Sequence, residues 1–357
     1  MTDDNKLKVP KIMKAAVMTQ LKHICIEERP VPRPGNREVT VKIEYVGICG
    51  SDLHYYENGA IGDWKVEYPF VLGHEAAGTV VEIGGNVEGL KLGDRVALEP
   101  GRTCGHCEYC RIGKYNLCKS VRFFATPPVD GTLQQYVVCD AALCFKLPEN
   151  ISTLEGALLE PLAVGLHGAL QGKAGIGQTV LIMGAGCIGL VTLMALKAAG
   201  VSCAIVCDML ENRLEKAREL GADSVVLAGH DKINEILATL NLSDGFDLGV
   251  DTTGSQIAIS DLISGTKKGG TLVLVGYGKT QCQTIPLNRA IDKELTIKTV
   301  FRYRNLYPSA IRAVAKGQIN IKRIVTKIYN FEDTQKAFME NLNNTDKIVK
   351  SVIAMPE

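Results

Sequence analysis

From Thr179 onward, short apolar runs alternate with stretches of helical periodicity, and this alternation constrains the fold more than any other feature of the sequence. Several of the runs contain almost no polar residue, which is typical of strands buried on both faces. Strands that alternate with helices in this way form a parallel, doubly wound sheet. We therefore predict strands at 179–183, 203–208, 224–227, 246–251, 271–276 and 295–301, with helices at 190–200, 211–222, 231–240 and 256–265 between them.

The first predicted strand runs directly into the turn GAGCIG, which matches G-x-G-x-x-G. In this pattern Gly184 allows a tight turn, Gly186 lets a pyrophosphate approach the backbone, and Gly189 lets the helix pack on the strand. Phosphate oxygens then meet the free N–H groups at the start of the helix. The pattern alone is weak evidence, but its place between a strand and a helix predicts a dinucleotide site.

The second predicted strand ends in Asp208, which bears on the choice of nicotinamide cofactor. A carboxylate at this position accepts hydrogen bonds from ribose hydroxyls and repels a 2′-phosphate. Met209 follows, so no adjacent arginine is placed to receive such a phosphate, and we predict NAD rather than NADP. Arg213 either lies over the adenine or is an exposed helix arginine, and the sequence leaves both interpretations open.

Four of the twelve cysteines lie within one short polar stretch, EPGRTCGHCEYCRIGKYNLC. Cys104, Cys107, Cys110 and Cys118 follow the spacing C-x2-C-x2-C-x7-C, which suits a tetrahedral zinc site. Four protein ligands leave no open position, so this zinc is expected to be structural. The alternatives are a redox pair or a chance cluster of surface thiols. We interpret most of the other cysteines as small buried hydrophobic residues.

Length and charge limit the remaining classes of protein. A chain of 357 residues is expected to form two domains. Forty basic residues nearly balance 39 acidic ones, and no basic run occurs, so the sequence indicates neither a nucleic acid nor an anionic membrane as partner. The uncharged stretch 178–196 is interrupted by glycines and is expected to be a buried strand and helix. The N-terminus does not resemble a secretory signal, so we expect a cytoplasmic protein.

Upstream lie VGICGSDLHYYENG and LGHEAAGTVVEIGGNVEGLKLGDRV. With the cysteine stretch and the glycine turn, they resemble the zinc-dependent medium-chain alcohol dehydrogenase family. EPG, YNL, FFATPPVDGTL, LLEPLAVGLH and VFRYRNLYP resemble its polyol branch, the sorbitol (L-iditol) dehydrogenases. The resemblance implies a GroES-like, β-rich catalytic domain at 13–160, a Rossmann NAD-binding domain at 161–298, and a return to the catalytic domain at 299–357. It also implies a homotetramer.

The same resemblance assigns a second, catalytic zinc to Cys49, His74 and Glu75, with one position left open. Glu160 is expected to act through the water on that zinc, although Glu75 and Glu160 could exchange these roles. Ser51 and His54 are candidates for a proton relay, and His54 could instead be merely structural. Two zinc ions per chain are therefore predicted, one closed and one open.

The resemblance also supplies the remaining site residues. Tyr55, Phe123, Glu160, Arg302 and Tyr303 are expected to line the substrate pocket, although ordinary packing would also explain Phe123 and Tyr303. The expected cofactor-binding set is Gly184, Gly186, Ile188, Gly189, Asp208, Arg213, Val275, Gly276 and Phe301. Arg304 lies beside this pocket segment, and the sequence does not say what it faces.

The function implied is the reversible NAD-linked oxidation of a polyol, such as sorbitol, xylitol or L-iditol, to its 2-ketose. One alternative is a secondary-alcohol or L-threonine-type dehydrogenase that uses the same residues. Another is a non-catalytic relative that binds nucleotide and has a structural or regulatory role. The presence of Cys49, His74 and both glutamates argues against this last class.

Overall fold

The computed structural model describes residues 9–228, 233–278 and 282–356, and the chain forms two compact units. The first unit runs to Glu160 and continues at Tyr307–Ala315 and Val325–Glu357. The second unit consists of Pro161–Leu306 and Lys316–Ile324. The domain limits 13–160, 161–298 and 299–357 stay a prediction.

The described residues contain strands of two to ten residues. In chain order they are β1 (Ile12–Gln20), β2 (His23–Pro30), β3 (Glu38–Gly47), β4 (Ala60–Ile61), β5 (Trp64–Lys65), β6 (Phe70–Val71), β7 (Glu75–Ile83), β8 (Arg95–Leu98), β9 (Gly101–Arg102), β10 (Arg122–Phe123), β11 (Tyr136–Asp140), β12 (Cys144–Lys146), β13 (Thr179–Met183), β14 (Cys203–Asp208), β15 (Ser224–Leu227), β16 (Phe246–Asp251), β17 (Thr266–Leu274), β18 (Thr296–Thr299), β19 (Lys327–Asn330) and β20 (Ser351–Ala354).

The α-helices follow the same chain order. They are α1 (Gly50–Asn58), α2 (Glu108–Arg111), α3 (Thr153–Gln171), α4 (Cys187–Ala198), α5 (Glu211–Glu219), α6 (Ile233–Thr239), α7 (Gln256–Gly265), α8 (Leu287–Asp292), α9 (Tyr307–Ala315) and α10 (Thr334–Asn343).

A seven-stranded sheet with β3 near its centre dominates the first unit. Its order is β12-β8-β7-β3-β20-β19, and β11 also pairs with β3. A second sheet has the order β2-β1-β6. Fully buried side chains such as Val17, Val41 and Phe338 belong to one apolar cluster of this unit. Their burial keeps the paired ends of β3 and β7 in fixed register, and that register positions the candidate site.

The second unit contains a six-stranded parallel sheet of order β15-β14-β13-β16-β17-β18. The order reverses beside β13, which is the doubly wound arrangement of a dinucleotide-binding sheet. Apolar side chains of the strands and α7, including Leu181, Phe246 and Leu262, form its core. The predicted fold class is confirmed. The stretch 178–196 forms β13 and most of α4, and no described helix is long and apolar enough to cross a membrane.

The starts of two elements differ from the prediction by three or more residues, and several ends differ by one to three residues. Helix α4 begins at Cys187 rather than Leu190, because the last residues of the glycine motif already form its first turn. Strand β17 begins at Thr266 rather than Thr271, because Thr266 already pairs with Phe246 of β16; the register is then irregular until Thr271 pairs with Leu248. The predicted start of a helix at Asp231 and Lys232 lies outside the described residues, and α6 is described from Ile233.

Candidate metal centre and nucleotide site

The paired ends of β3 and β7 bring three candidate ligands together in the first unit. Gly47 at the end of β3 lies opposite Glu75 at the start of β7. Cys49 follows β3 and caps α1, while His74 immediately precedes β7. One ligand atom from each of Cys49, His74 and Glu75 lies within 4.8 Å of the others. A thiolate, an imidazole and a carboxylate at this spacing are chemically suited to zinc, and three protein ligands leave a position open.

Asp52 controls the electrostatics of this centre, although the sequence analysis did not single it out. It is fully buried, and its carboxylate accepts from the backbone N–H of Cys49 and of Gly73, each at 3.0 Å. Its Oδ1 also lies 3.5 Å from Nδ1 of His74. A proton held on Nδ1 leaves Nε2 to bind a metal. The C-x-x-D spacing at the start of α1 was the available signal, because it resembles a capping box.

The ionisation of His74 and Asp52 follows from this contact. Burial by itself would lower the pKa of His74, but the charges of Asp52 and Cys49 outweigh it and hold that pKa well above its usual range. Burial opposes ionisation of Asp52 as well. The charge of His74 and the hydrogen bonds from His74, Gly73 and Cys49 nevertheless lower the pKa of Asp52. The pair therefore stays polarised although it has almost no contact with water.

The four clustered cysteines form a second candidate metal site in the first unit. Ligand atoms of Cys104, Cys107, Cys110 and Cys118 lie within 4.8 Å of one another. The sulfur of Cys110 is 3.5 Å from that of Cys107 and 3.9 Å from that of Cys104. Backbone N–H groups of His106 and Cys107 lower the pKa of Cys104 to about 6, which favours the thiolate that binds metal. The spacing prediction thus corresponds to one convergent set of sulfurs.

The glycine turn of the second unit has the shape that a dinucleotide requires. Gly184 has a φ of 98°, which is rarely accessible to other residues. A Cβ on Gly189 would lie 1.8 Å from the carbonyl oxygen of Gly184, so only glycine allows α4 to pack this closely. Gly186 caps α4, and the first N–H groups of that helix, including that of Ile188, have no intrahelical acceptor.

Asp208 lies at the carboxyl end of β14 and is tied to the glycine turn. Its Oδ2 accepts from the backbone N–H of Ala185 at 2.7 Å, and its Oδ1 accepts from that of Leu210 at 3.0 Å. A guanidinium nitrogen of Arg213 lies 4.0 Å from Oδ2. The carboxylate is thereby held beside the turn, where a ribose would lie next to the pyrophosphate.

Comparison with known proteins identifies the family of each unit. An alcohol dehydrogenase GroES-like domain model matches residues 35–149, and a zinc-binding dehydrogenase model matches residues 187–316. The chain is 42% identical to sorbitol dehydrogenase of Bacillus subtilis over 97% of its length and 98% of the relative. It belongs to the zinc-binding dehydrogenases. The predicted family resemblance is therefore confirmed.

Two further relatives also match most of this zinc-binding dehydrogenase. Human sorbitol dehydrogenase is 44% identical over 88% of each chain. The crystal structure of an Escherichia coli oxidoreductase of unknown specificity is 40% identical, with a TM-score of 0.93, and the match covers 97% of this chain and 100% of that one. The similarity therefore extends over both units and does not stop at the metal-binding and glycine motifs.

The surroundings of the metal centre are partly apolar. The centre of the Phe123 ring lies 5.6 Å from that of His74. Tyr55, on the helix that follows Cys49, is buried and packs against Phe70 with 6.5 Å between the ring centres. Glu160 is buried on α3 but is not among the three residues with convergent ligand atoms. The structure therefore brings Glu75, rather than Glu160, to Cys49 and His74.

Ser51 and His54, the two candidates for a proton relay, both lie on α1. Ser51 is half-buried, while His54 is exposed on the helix. Neither observation tests a relay, and the roles of both residues stay predictions.

The remaining predicted site residues belong to the second unit. Arg302 has a φ of 55°, unusual for a residue with a side chain, and its guanidinium lies 4.9 Å from the ring of Phe301. Tyr303 is buried. Val275 and Gly276 follow β17, where their N–H groups donate to the carbonyl of Asp251.

Arg304 faces the buried His167 of α3. Burial and the charge of Arg304 lower the pKa of His167 to about 4. His167 is therefore neutral at physiological pH, and Arg304 has an electrostatic neighbour within its own unit.

Proposed function

We propose that this protein is a zinc-dependent polyol dehydrogenase that oxidises a polyol such as sorbitol, xylitol or L-iditol reversibly to the 2-ketose, with NAD as acceptor. The observation that carries the proposal is the convergence of Cys49, His74 and Glu75 within 4.8 Å at the paired ends of two strands. The sorbitol dehydrogenases at 42% and 44% identity support the substrate class.

Cys49, His74 and Glu75 would hold the catalytic zinc. When bound there, zinc supplies a Lewis acid that makes a substrate hydroxyl easier to deprotonate. Asp52 orients the imidazole of His74, and Phe123 and Tyr55 contribute apolar walls that limit water. The buried carboxyl of Glu160 and the hydroxyl of Ser51 are the groups proposed to hold or pass on the hydroxyl proton.

The nucleotide half supplies orientation and cofactor choice. The glycine turn and the start of α4 would bind the pyrophosphate, and Asp208 would accept from the ribose hydroxyls. Because a second negative charge beside Asp208 is unfavourable, NAD is preferred over NADP. The fixed guanidinium donors of Arg302 would bind substrate hydroxyls. Cys104, Cys107, Cys110 and Cys118 would hold a second, structural zinc. A homotetramer and a cytoplasmic location complete the proposal.

The decisive experiment is a steady-state substrate panel on purified enzyme. Sorbitol, xylitol, L-iditol, galactitol and arabinitols are compared with 2-propanol, 2,3-butanediol and L-threonine, using NAD and then NADP. We expect polyol turnover with NAD, abolished by a chelator and restored by zinc. Preference for a simple alcohol or for L-threonine would contradict the substrate class. Preference for NADP would contradict the role of Asp208.

A further inference from the structure

We propose that Lys350 is a positioning residue of the metal centre, which holds the carboxylate of Glu75 and weakens it as a metal ligand. This rests on the proposed function, because it concerns the same three-ligand site. Lys350 lies immediately before β20 and was not among the residues predicted from the sequence.

The contact itself is an ion pair removed from water. Nζ of Lys350 pairs with Oε2 of Glu75, and their side chains are only 2% and 1% exposed. Nζ also donates to the carbonyl oxygen of Ile48 at 2.9 Å, directly before Cys49. One ammonium therefore contacts one proposed ligand and the backbone that leads to a second.

The sheet explains why the pair forms at this place. Gly47 at the end of β3 lies between Glu75 of β7 and Val352 of β20. A Cβ on Gly47 would lie 2.0 Å from Oε2 of Glu75, so the carboxylate occupies space that only glycine leaves free. Its path towards Lys350 is set by three paired strands rather than by a mobile loop.

The backbone of Lys350 is fixed independently of its side chain. Its carbonyl accepts from the backbone N–H of Thr326 at 2.8 Å, and its own N–H donates to the hydroxyl of Thr326 at 3.3 Å. A change of the side chain at this position should therefore leave the course of β20 intact.

The charge has opposite consequences with and without metal. Without metal, the ammonium compensates Glu75, since a buried carboxylate without a counter-charge is strongly unfavourable. With zinc bound, the ammonium and the metal would compete for the same carboxylate, so Lys350 would weaken the attraction between Glu75 and the metal. The lysine thus keeps the ligand preformed, and it would leave a bound metal more electrophilic. An ion pair that serves only to attach β20 would compensate the buried carboxylate of Glu75 but would not reduce zinc affinity.

The test is a charge series at position 350, with zinc affinity as the readout. Lys350→Met removes the charge at similar length, and Lys350→Arg replaces it with a fork that can engage both carboxylate oxygens. We expect zinc to bind about tenfold more tightly in Lys350→Met than in the unmodified enzyme, because the competing positive charge is lost, and more weakly in Lys350→Arg. Competition with a chromogenic chelator measures the affinity, and thermal unfolding with and without zinc measures the gain in stability.

Two further variants separate the charge effect from packing. In a Glu75→Gln background, Lys350→Met should no longer tighten zinc binding, because the carboxylate it influences is gone. The control Lys146→Met lies on edge strand β12 and removes the partner of the buried Asp94. It should leave zinc affinity unchanged. If Lys350→Met does not fold, weaker binding in Lys350→Arg supports the proposal, and equal or tighter binding overturns it.

Failure of this inference is distinguishable from failure of the proposed function. The role of Lys350 alone would be overturned by the following result: the enzyme holds two zinc ions per chain, Glu75→Gln weakens the binding of one of them, and the charge at position 350 does not change zinc affinity. The role of Lys350 is also overturned if Lys350→Met weakens zinc binding, or if its effect persists beside Glu75→Gln. A different result would overturn the proposed ligand set: the unmodified enzyme turns over polyols, and the Glu75→Gln variant has the same zinc content and the same zinc affinity.

Discussion

At the scale of single residues, the metal centre depends on groups that need not touch the metal. Asp52 accepts two backbone hydrogen bonds and faces His74, so one carboxylate fixes both the start of α1 and the orientation of the imidazole. Outer partners of this kind influence affinity because a ligand that is free to rotate must be ordered when the metal binds.

Asp52→Asn tests this role, since it keeps the shape and removes the charge. We expect zinc affinity at the catalytic site to fall about 10–100-fold, with a parallel loss of kcat/KM. Zinc content after dialysis against a weak chelator measures the first effect. Asp140→Asn, which changes a half-buried turn cap away from the metal centre, is the matched control. Full zinc retention in Asp52→Asn would contradict the orienting role.

His167 predicts a pH dependence of stability. Burial and Arg304 lower its folded-state pKa to about 4, below that of an unfolded histidine. As pH falls from about 6.5 towards 4, the unfolded chain therefore takes up a proton that the folded chain does not, and the free energy of unfolding decreases. Urea unfolding at several pH values should show a shallower decrease in His167→Gln than in the unmodified protein. His23→Gln, at an exposed position, should change nothing.

At the scale of elements, the stretch from Cys104 to Cys118 is held by its sulfurs more than by apolar packing. It contains the four-residue helix α2, in which no residue is buried, and Cys118 is the only buried cysteine of the four. A segment with so little buried apolar surface needs another source of stability, and a bound metal supplies it.

Cys107→Ser should therefore lower the zinc content from two ions per chain to one and decrease the melting temperature, while the catalytic site keeps its metal. Atomic absorption and a thermal melt check both expectations. Cys25→Ser changes a half-buried cysteine outside either cluster and serves as the control. An unchanged zinc content in Cys107→Ser would exclude a structural zinc at this stretch.

At the scale of the whole molecule, each unit carries its own set of proposed functional residues. The proposed metal ligands belong to the first unit, while Arg302 and the glycine turn belong to the second. Arg302→Leu should reduce polyol turnover at least tenfold without lowering zinc content, because the substrate hydroxyl then loses its hydrogen-bond donor in the site. A variant with equal polyol activity would remove Arg302 from the substrate site. Arg218→Leu, on an exposed helix face, is the control.

Much of the fold was accessible from local pattern. Apolar runs alternating with helices predicted the six parallel strands, since strands buried on both faces require such runs. The glycine spacing located the turn before α4, because only glycine satisfies both the φ of Gly184 and the contact at Gly189. The start of β17 was misplaced, because Thr266 pairs with Phe246 although lysines and glycines of low strand propensity follow it.

By itself, the sequence determined the nucleotide turn and the cysteine cluster, whose residues are neighbours along the chain and whose spacing carries the chemistry. It could not reveal that Asp52 faces His74 or that Lys350 pairs with Glu75. These partners are distant in sequence: the capping spacing of Asp52 does not show that it faces His74, and a lone lysine has no distinguishing pattern. Only the pairing of β3 with β7 and β20 brings them together, because strand register decides which side chains are buried next to one another.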